Sequence, residues 1–195
     1  MVSSAVYRYF PSRDDLLTAL IIDAYDDIGA AAEVGMASGL PDDPTGRWLG
    51  LCGGVRRWAL HHPAEYALVY GSPVPGYAAP QDTIGPATRV SLAMVRLVVE
   101  TAALHGLAPT PPLDDVPPPA ALLPDLDAMR ATLDTDLSDG VFLRGLAART
   151  HLFGAITFEL FGQHQNLISD NEAFFLHAMR LTARMIGLPI AGGAS

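Results

Sequence analysis

The sequence predicts an all-α fold. Three observations lead there. Apolar residues recur at three- and four-residue spacing in successive stretches. Those stretches begin and end on recognisable helix start and stop signals, and no alternating strand pattern is sustained anywhere. Half of the 195 residues are apolar, enough for one sizeable core or two small ones.

Taken in order, Pro11 stops a first short segment, because proline disfavours helical geometry in the residue before it. Ser12 then caps a long helix expected over 12–33, with Asp14 and Asp15 in its first turn, where the helix dipole favours negative charge. Its stripe is Leu16, Leu17, Leu20, Ile21, Ala24, Tyr25 and Ile28. Gly35, Gly39, Pro41 and Pro44 break the chain. A second helix is expected over 45–62, with Trp48, Leu51, Cys52, Val55, Trp58 and Ala59 as its apolar face. Pro63 fits the first position of a shorter helix ending near Tyr70. A Gly/Pro-rich loop over 71–80 precedes a longer helix that starts at Pro80 or Asp82 and reaches Leu104.

Six of the sixteen prolines fall within 105–119, so a mobile loop is expected up to about residue 139, interrupted by at most one helix over 124–133. Two helices close the chain. The penultimate one, over 139–161, is apolar almost all round and must be covered on several sides. The last opens on Ser169-Asp170-Asn171-Glu172, which reads as a capping box, and runs to Gly187.

Charge is distributed unevenly. The chain has twelve arginines, no lysine and twenty-one acids, for a net charge of −9. Residues 1–13 carry two arginines and no acid (+2), leaving ten arginines against twenty-one acids (−11) in the rest. An acidic body is repelled by DNA, and two arginines alone release few counterions from phosphate. A single cysteine, Cys52, rules out an internal disulfide framework and fits a reducing cytoplasm. No secretory signal is visible, and prolines interrupt the longest charge-free stretch, 66–81, so that it cannot span a membrane.

The run Val6-Tyr7-Arg8-Tyr9-Phe10, followed by Pro11-Ser12, Arg13 and Leu16-Leu17, resembles the end of the recognition helix in the TetR (tetracycline-repressor-like) family of bacterial regulators. The resemblance extends over Arg56–Tyr66 and over Leu152–Gly162. These look like a subgroup of TetR C-terminal domains named for a Trp-His-Gly pattern in the penultimate helix. Here Gly154 is kept, while Phe153 stands at the usual histidine and Arg149 near the tryptophan position. The family places two further helices before this point, so the resemblance implies an N-terminally truncated helix-turn-helix over 1–33 and a ligand-binding and dimerisation domain over 34–195.

The resemblance implies roles for named residues. Tyr7, Tyr9 and Arg13 would contact DNA phosphates, and Ser3 and Ser4 would lie on the base-reading face of the same helix. Trp48, Cys52, Trp58, Tyr66, Tyr70, Met94 and Val98 come from the three helices that enclose the family's effector cavity, and as a set they suit a small apolar molecule. The last two helices would build a C2 homodimer, with Leu146, Phe153, Phe161, Phe174 and Leu181 at its interface. The expected function is a ligand-responsive DNA-binding regulator, a repressor by family habit, with operator DNA as partner of the full-length form. The alternative is a headless ligand- or partner-binding dimer without DNA activity.

Signals for other chemistry are weak. There is no Gly-rich phosphate loop, no Gly-x-Ser-x-Gly elbow and no His-Glu-x-x-His helix, so no cofactor, metal or catalytic residue is expected. His61, His62 and Glu65 straddle Pro63, and a solvated helix end accounts for them better than a metal site. Cys52 sits on an apolar stripe and reads as core filler. His151, His164 and Glu159 flank an apolar helix, where an interface role outweighs a catalytic one.

Overall fold

The computed structural model describes residues 9–110, 113 and 116–189, and these contain seven α-helices and no strand. They are α1 (Arg13–Ala37), α2 (Pro44–His61), α3 (Pro63–Tyr70), α4 (Ile84–Leu104), α5 (Leu123–Leu133), α6 (Asp139–Leu160) and α7 (Asn171–Ile186). One-turn 3₁₀ segments at Gln81–Thr83 and Ala120–Leu122 lead into α4 and α5.

The expected boundaries hold to within a few residues, and the caps explain why. Ser12 accepts a hydrogen bond from the Asp15 amide at 3.1 Å and starts α1. Asp43 does the same for Gly46 at the head of α2, and Ser138 for Val141 at the head of α6. The head of α7 differs from the expected capping box. Asp170, not Ser169, is the cap and accepts from the Ala173 amide at 2.9 Å, which puts alanine where the box needs Glu172. An aspartate one residue further in outcompetes the serine because its carboxylate also meets the positive end of the helix dipole.

α1 lies along α2 so closely that side chains are absent from the crossing. A Cβ on Gly54 would fall 2.2 Å from the Ala31 carbonyl oxygen, and one on Gly35 would fall 2.1 Å from that of Gly50. Arg89 of α4 reaches α1 with a forked grip, on Glu33 at 2.7 Å and on Asp26 at 2.9 Å. The main core runs between these helices and α6–α7. Ile28, Trp48, Leu51, Val55, Tyr66, Leu97, Leu152, Ile156 and Met179 are all buried in it. The Trp48 indole N–H donates to the Met179 carbonyl at 3.1 Å and to the Thr182 hydroxyl at 3.2 Å, so a large ring is buried with its donor satisfied.

Further charged links join the helices, among them Arg47 of α2 to Glu100 of α4 at 2.8 Å. Arg56 of α2 and Glu159 of α6 form a two-bond pair, 2.7 Å on each arm and mostly shielded from water, with the guanidinium also over the Phe175 ring. Arg130 of α5 pairs with Asp127 and with Asp139 at the start of α6, which ties the short helix into place. The one helix allowed for in this proline-rich segment, over 124–133, is therefore present as α5, anchored by Leu126, which is fully buried. No described helix is long and apolar enough to cross a membrane.

Candidate functional site

Two arginines in α6 interrupt a helix that is otherwise almost wholly apolar, and the second, Arg149, marks the wall of a cavity of about 430 Å³. The volume lies within the range of small-molecule sites. α4 supplies Ser91, Met94, Val95 and Val98, α5 supplies Met129 and Leu133, and α6 supplies Val141, Phe142, Leu146 and Arg149. Trp48 and Ile186 contribute from α2 and α7.

Most polar groups in this wall are already used. The Thr88 hydroxyl donates to the Gly85 carbonyl and the Thr132 hydroxyl to that of Ala128, each within its own helix. Arg149 differs. Its Nε donates to the Ser91 hydroxyl oxygen at 2.8 Å and its guanidinium lies 5.2 Å from the centre of the Phe153 ring. Phe153 stacks on Tyr70 at 4.2 Å, and Tyr70 meets Tyr25 of α1 edge-on at 5.8 Å. The Tyr25 hydroxyl in turn donates to the Val69 carbonyl at 3.2 Å. A file of rings thus runs from the cavity wall to the middle of α1. Burial pushes the phenols of Tyr70, Tyr66 and Tyr25 up, although the nearby Arg149 charge opposes this at Tyr70 and Tyr25.

Of the seven residues expected around a ligand, Trp48, Met94 and Val98 line this cavity. Cys52, Trp58, Tyr66 and Tyr70 lie in or against the adjoining core, outside its lining. Cys52 is fully buried and its thiol is pushed up by that burial, so it stays protonated. Tyr66 bonds the Thr157 hydroxyl at 2.9 Å and the Phe153 carbonyl at 3.2 Å, both in α6. Tyr70 belongs to the ring file. Sequence reasoning did not select Ser91, Val141, Phe142 or the α5 residues. The available signal was charge on a helix otherwise fit for burial, from Arg144 and Arg149, of which Arg149 reaches the cavity.

At the other end, Ser3, Ser4 and Tyr7 lie outside the described residues. Tyr9 is 73% exposed and Arg13 is exposed at the first position of α1. Among the residues expected between two copies, Phe161 and Leu181 are exposed and Phe174 is half-buried. Leu146 faces the cavity mouth at 44% exposure, and Phe153 is buried within the single chain against Tyr70. Phe158, 53% exposed, joins Phe161 on the open side of α6. His164 sits edge-on between Phe158 and Phe174, and its Nδ1 is 3.2 Å from the Asn171 side chain. His61 turns back to the Arg57 carbonyl, and His62 stacks on Trp58.

The family profile described as "Tetracyclin repressor-like, C-terminal domain" matches residues 48–182. The HTH-type transcriptional regulator Rv1816 of Mycobacterium tuberculosis (strain ATCC 25618 / H37Rv) is 36% identical over 188 residues, which cover 95% of this chain and 79% of the relative. The chain belongs to the TetR family of transcriptional regulators. Mb1846 of Mycobacterium bovis, also an HTH-type transcriptional regulator, matches to the same extent. The crystal structure of the regulatory protein SCO4313 superposes with a TM-score of 0.70 at 30% identity, covering 93% of this chain and 79% of that one. The TetR fold is therefore the frame in which the cavity, the ring file and α1 are placed.

Proposed function

We propose that this TetR-family chain is a homodimeric, effector-responsive DNA-binding repressor of the cytoplasm, without catalytic activity. The observation that carries the reading is the continuous path from the apolar cavity through Arg149, Phe153 and Tyr70 to Tyr25 on α1. α1 begins next to the aromatic–arginine segment, so a shift of α1 changes where that segment points. A bound molecule acts only to the extent that it favours one arrangement of the file over another.

In this reading residues 1–33 belong to the DNA head and 34–195 to the effector-binding and dimerising body. Tyr7, Tyr9 and Arg13 take phosphate oxygens and set register, and Ser3 and Ser4 face base edges. The cavity lined by Trp48, Met94 and Val98 takes the effector, with Cys52, Trp58, Tyr66 and Tyr70 forming the core that supports it. The open apolar side of α6 and α7, with Phe158, Phe161, Phe174 and Leu181, meets the same patch of a second copy.

The test selects genomic fragments on the immobilised protein, then screens apolar small molecules by thermal shift. The expected result is a fragment retained in a salt-sensitive way and released by compounds that raise the melting temperature. Retention of no fragment even at low ionic strength would sink the DNA role. Stabilising compounds that leave a retained fragment bound would sink the coupling.

A further inference from the structure

The proposed effector cavity has one polar corner, and its chemistry is specific. Arg47, Arg56, Arg89 and Arg130 each face a carboxylate of the chain. Arg149 does not. Among the described residues its partners are the Ser91 hydroxyl oxygen and the Phe153 ring, and no carboxylate lies within pairing distance. A partly buried guanidinium without a counter-ion is unfavourable, and here it persists in a chain with nearly twice as many acids as arginines.

The donors left over gather in the same place. A guanidinium has five N–H groups, and among the described residues only Nε of Arg149 is engaged in a hydrogen bond. Ser91 accepts from that Nε, which leaves its own hydroxyl hydrogen to give. The other donors of the lining, Thr88, Thr132 and the Trp48 indole, are spent on backbone or neighbouring oxygens. Most of the remaining lining is aliphatic or aromatic, including Met94, Val98, Met129, Leu133 and Phe142.

We propose that the cavity selects amphipathic monocarboxylates, holding the carboxylate at Arg149 and Ser91 and the hydrocarbon part against α4, α5 and α6. This rests on the effector reading of the cavity and adds the ligand class. The carboxylate supplies the charge the site lacks, and its planar oxygens suit a guanidinium fork. Pairing there would also shift the Arg149 guanidinium over the Phe153 ring, at the head of the file that leads to α1.

The probes are decanoate and methyl decanoate, equal in chain but not in charge, titrated calorimetrically into the full chain at neutral pH. Wild type is expected to bind decanoate at least about ten-fold more tightly than the ester, the range of one charge-assisted contact. Arg149→Met should bring decanoate to the level of the ester and leave the ester within about two-fold. Ser91→Ala, which removes a single hydroxyl, should weaken decanoate alone, so the idea stays testable if Arg149→Met does not fold. Equal binding of acid and ester by wild type, or a preference that survives both substitutions, overturns the proposal but leaves an apolar effector cavity standing. If neither probe nor any neutral apolar compound binds, the effector reading itself fails.

Discussion

Gly53 and Gly54 are adjacent in α2, yet replacing each with alanine should move stability in opposite directions. In a helix interior, alanine is favoured over glycine by about 1 kcal/mol, because glycine loses more backbone freedom on folding. At Gly53 the nearest atom to an added Cβ is the tip of the Arg57 side chain at 3.4 Å, which can move aside. The propensity gain is therefore kept. At Gly54 the added Cβ would lie 2.2 Å from the Ala31 carbonyl oxygen and 3.0 Å from its carbon. Both belong to the α1 backbone, which cannot rotate out of the way.

The two helices would have to part by about 1 Å to restore an ordinary contact. Overpacking of this kind costs roughly 3 kcal/mol at the upper end of its usual range, against which the propensity gain offsets about 1. Gly54→Ala should then lose about 2 kcal/mol and Gly53→Ala gain about 1. For a chain of this size that means a melting temperature lower by about 4–8 °C in the first and higher by about 2–4 °C in the second. Differential scanning calorimetry of the two variants against wild type reads this directly. A Gly54→Ala protein as stable as Gly53→Ala would refute the close backbone approach of α1 and α2.

Glu159→Gln should cost about 3 kcal/mol in urea unfolding, because it leaves the shielded Arg56 guanidinium without its carboxylate; a loss under about 1 kcal/mol would mean the pair is solvated. Alkaline stability follows from the raised phenols. Burial holds Tyr25, Tyr66 and Tyr70 protonated in the folded state above the ordinary value of 10.0, while the unfolded chain ionises there. The unfolded state thus binds fewer protons, and unfolding free energy falls as pH rises from about 10 toward the folded values. Urea midpoints measured either side of that pH, with phenolate absorbance followed in parallel, check it; ionisation of all six tyrosines before unfolding would contradict it. Phe158→Asp combined with Leu181→Asp should convert the proposed dimer into a folded monomer in sedimentation equilibrium at micromolar concentration, while wild type sediments as two copies; a wild-type monomer would sink the dimer and an unchanged variant mass would place the interface elsewhere.

The helices themselves were legible in the chain. The Ser12 cap, proline at the start of α3 and glycine after α7 are local signals that the chain shows directly, whereas Asp43 and Pro44 at the head of α2 stand inside a stretch that reads as a chain break. The family, too, could be read from short ordered runs at both ends. The cap of α7 was misplaced by one residue because serine and aspartate compete for the same amides, and the sequence lists both.

Which side of each helix lines a space was not a local property. Tyr66, Tyr70 and Trp58 have the same character as cavity-lining residues, but pairwise stacking and the Thr157 hydroxyl draw them into solid core. Leu146 and Phe153 lie about two turns apart on nearly the same face of α6, and it is their position along the helix that puts one at the cavity and the other under Tyr70. The sequence alone determined the all-helical class, the order of the long helices and the acidic character, because capping, periodicity and charge act over a few residues. Only the tertiary structure decided that Arg149 would stand without a carboxylate beside Ser91, since the two lie 58 positions apart and are brought together by the packing of α6 on α4.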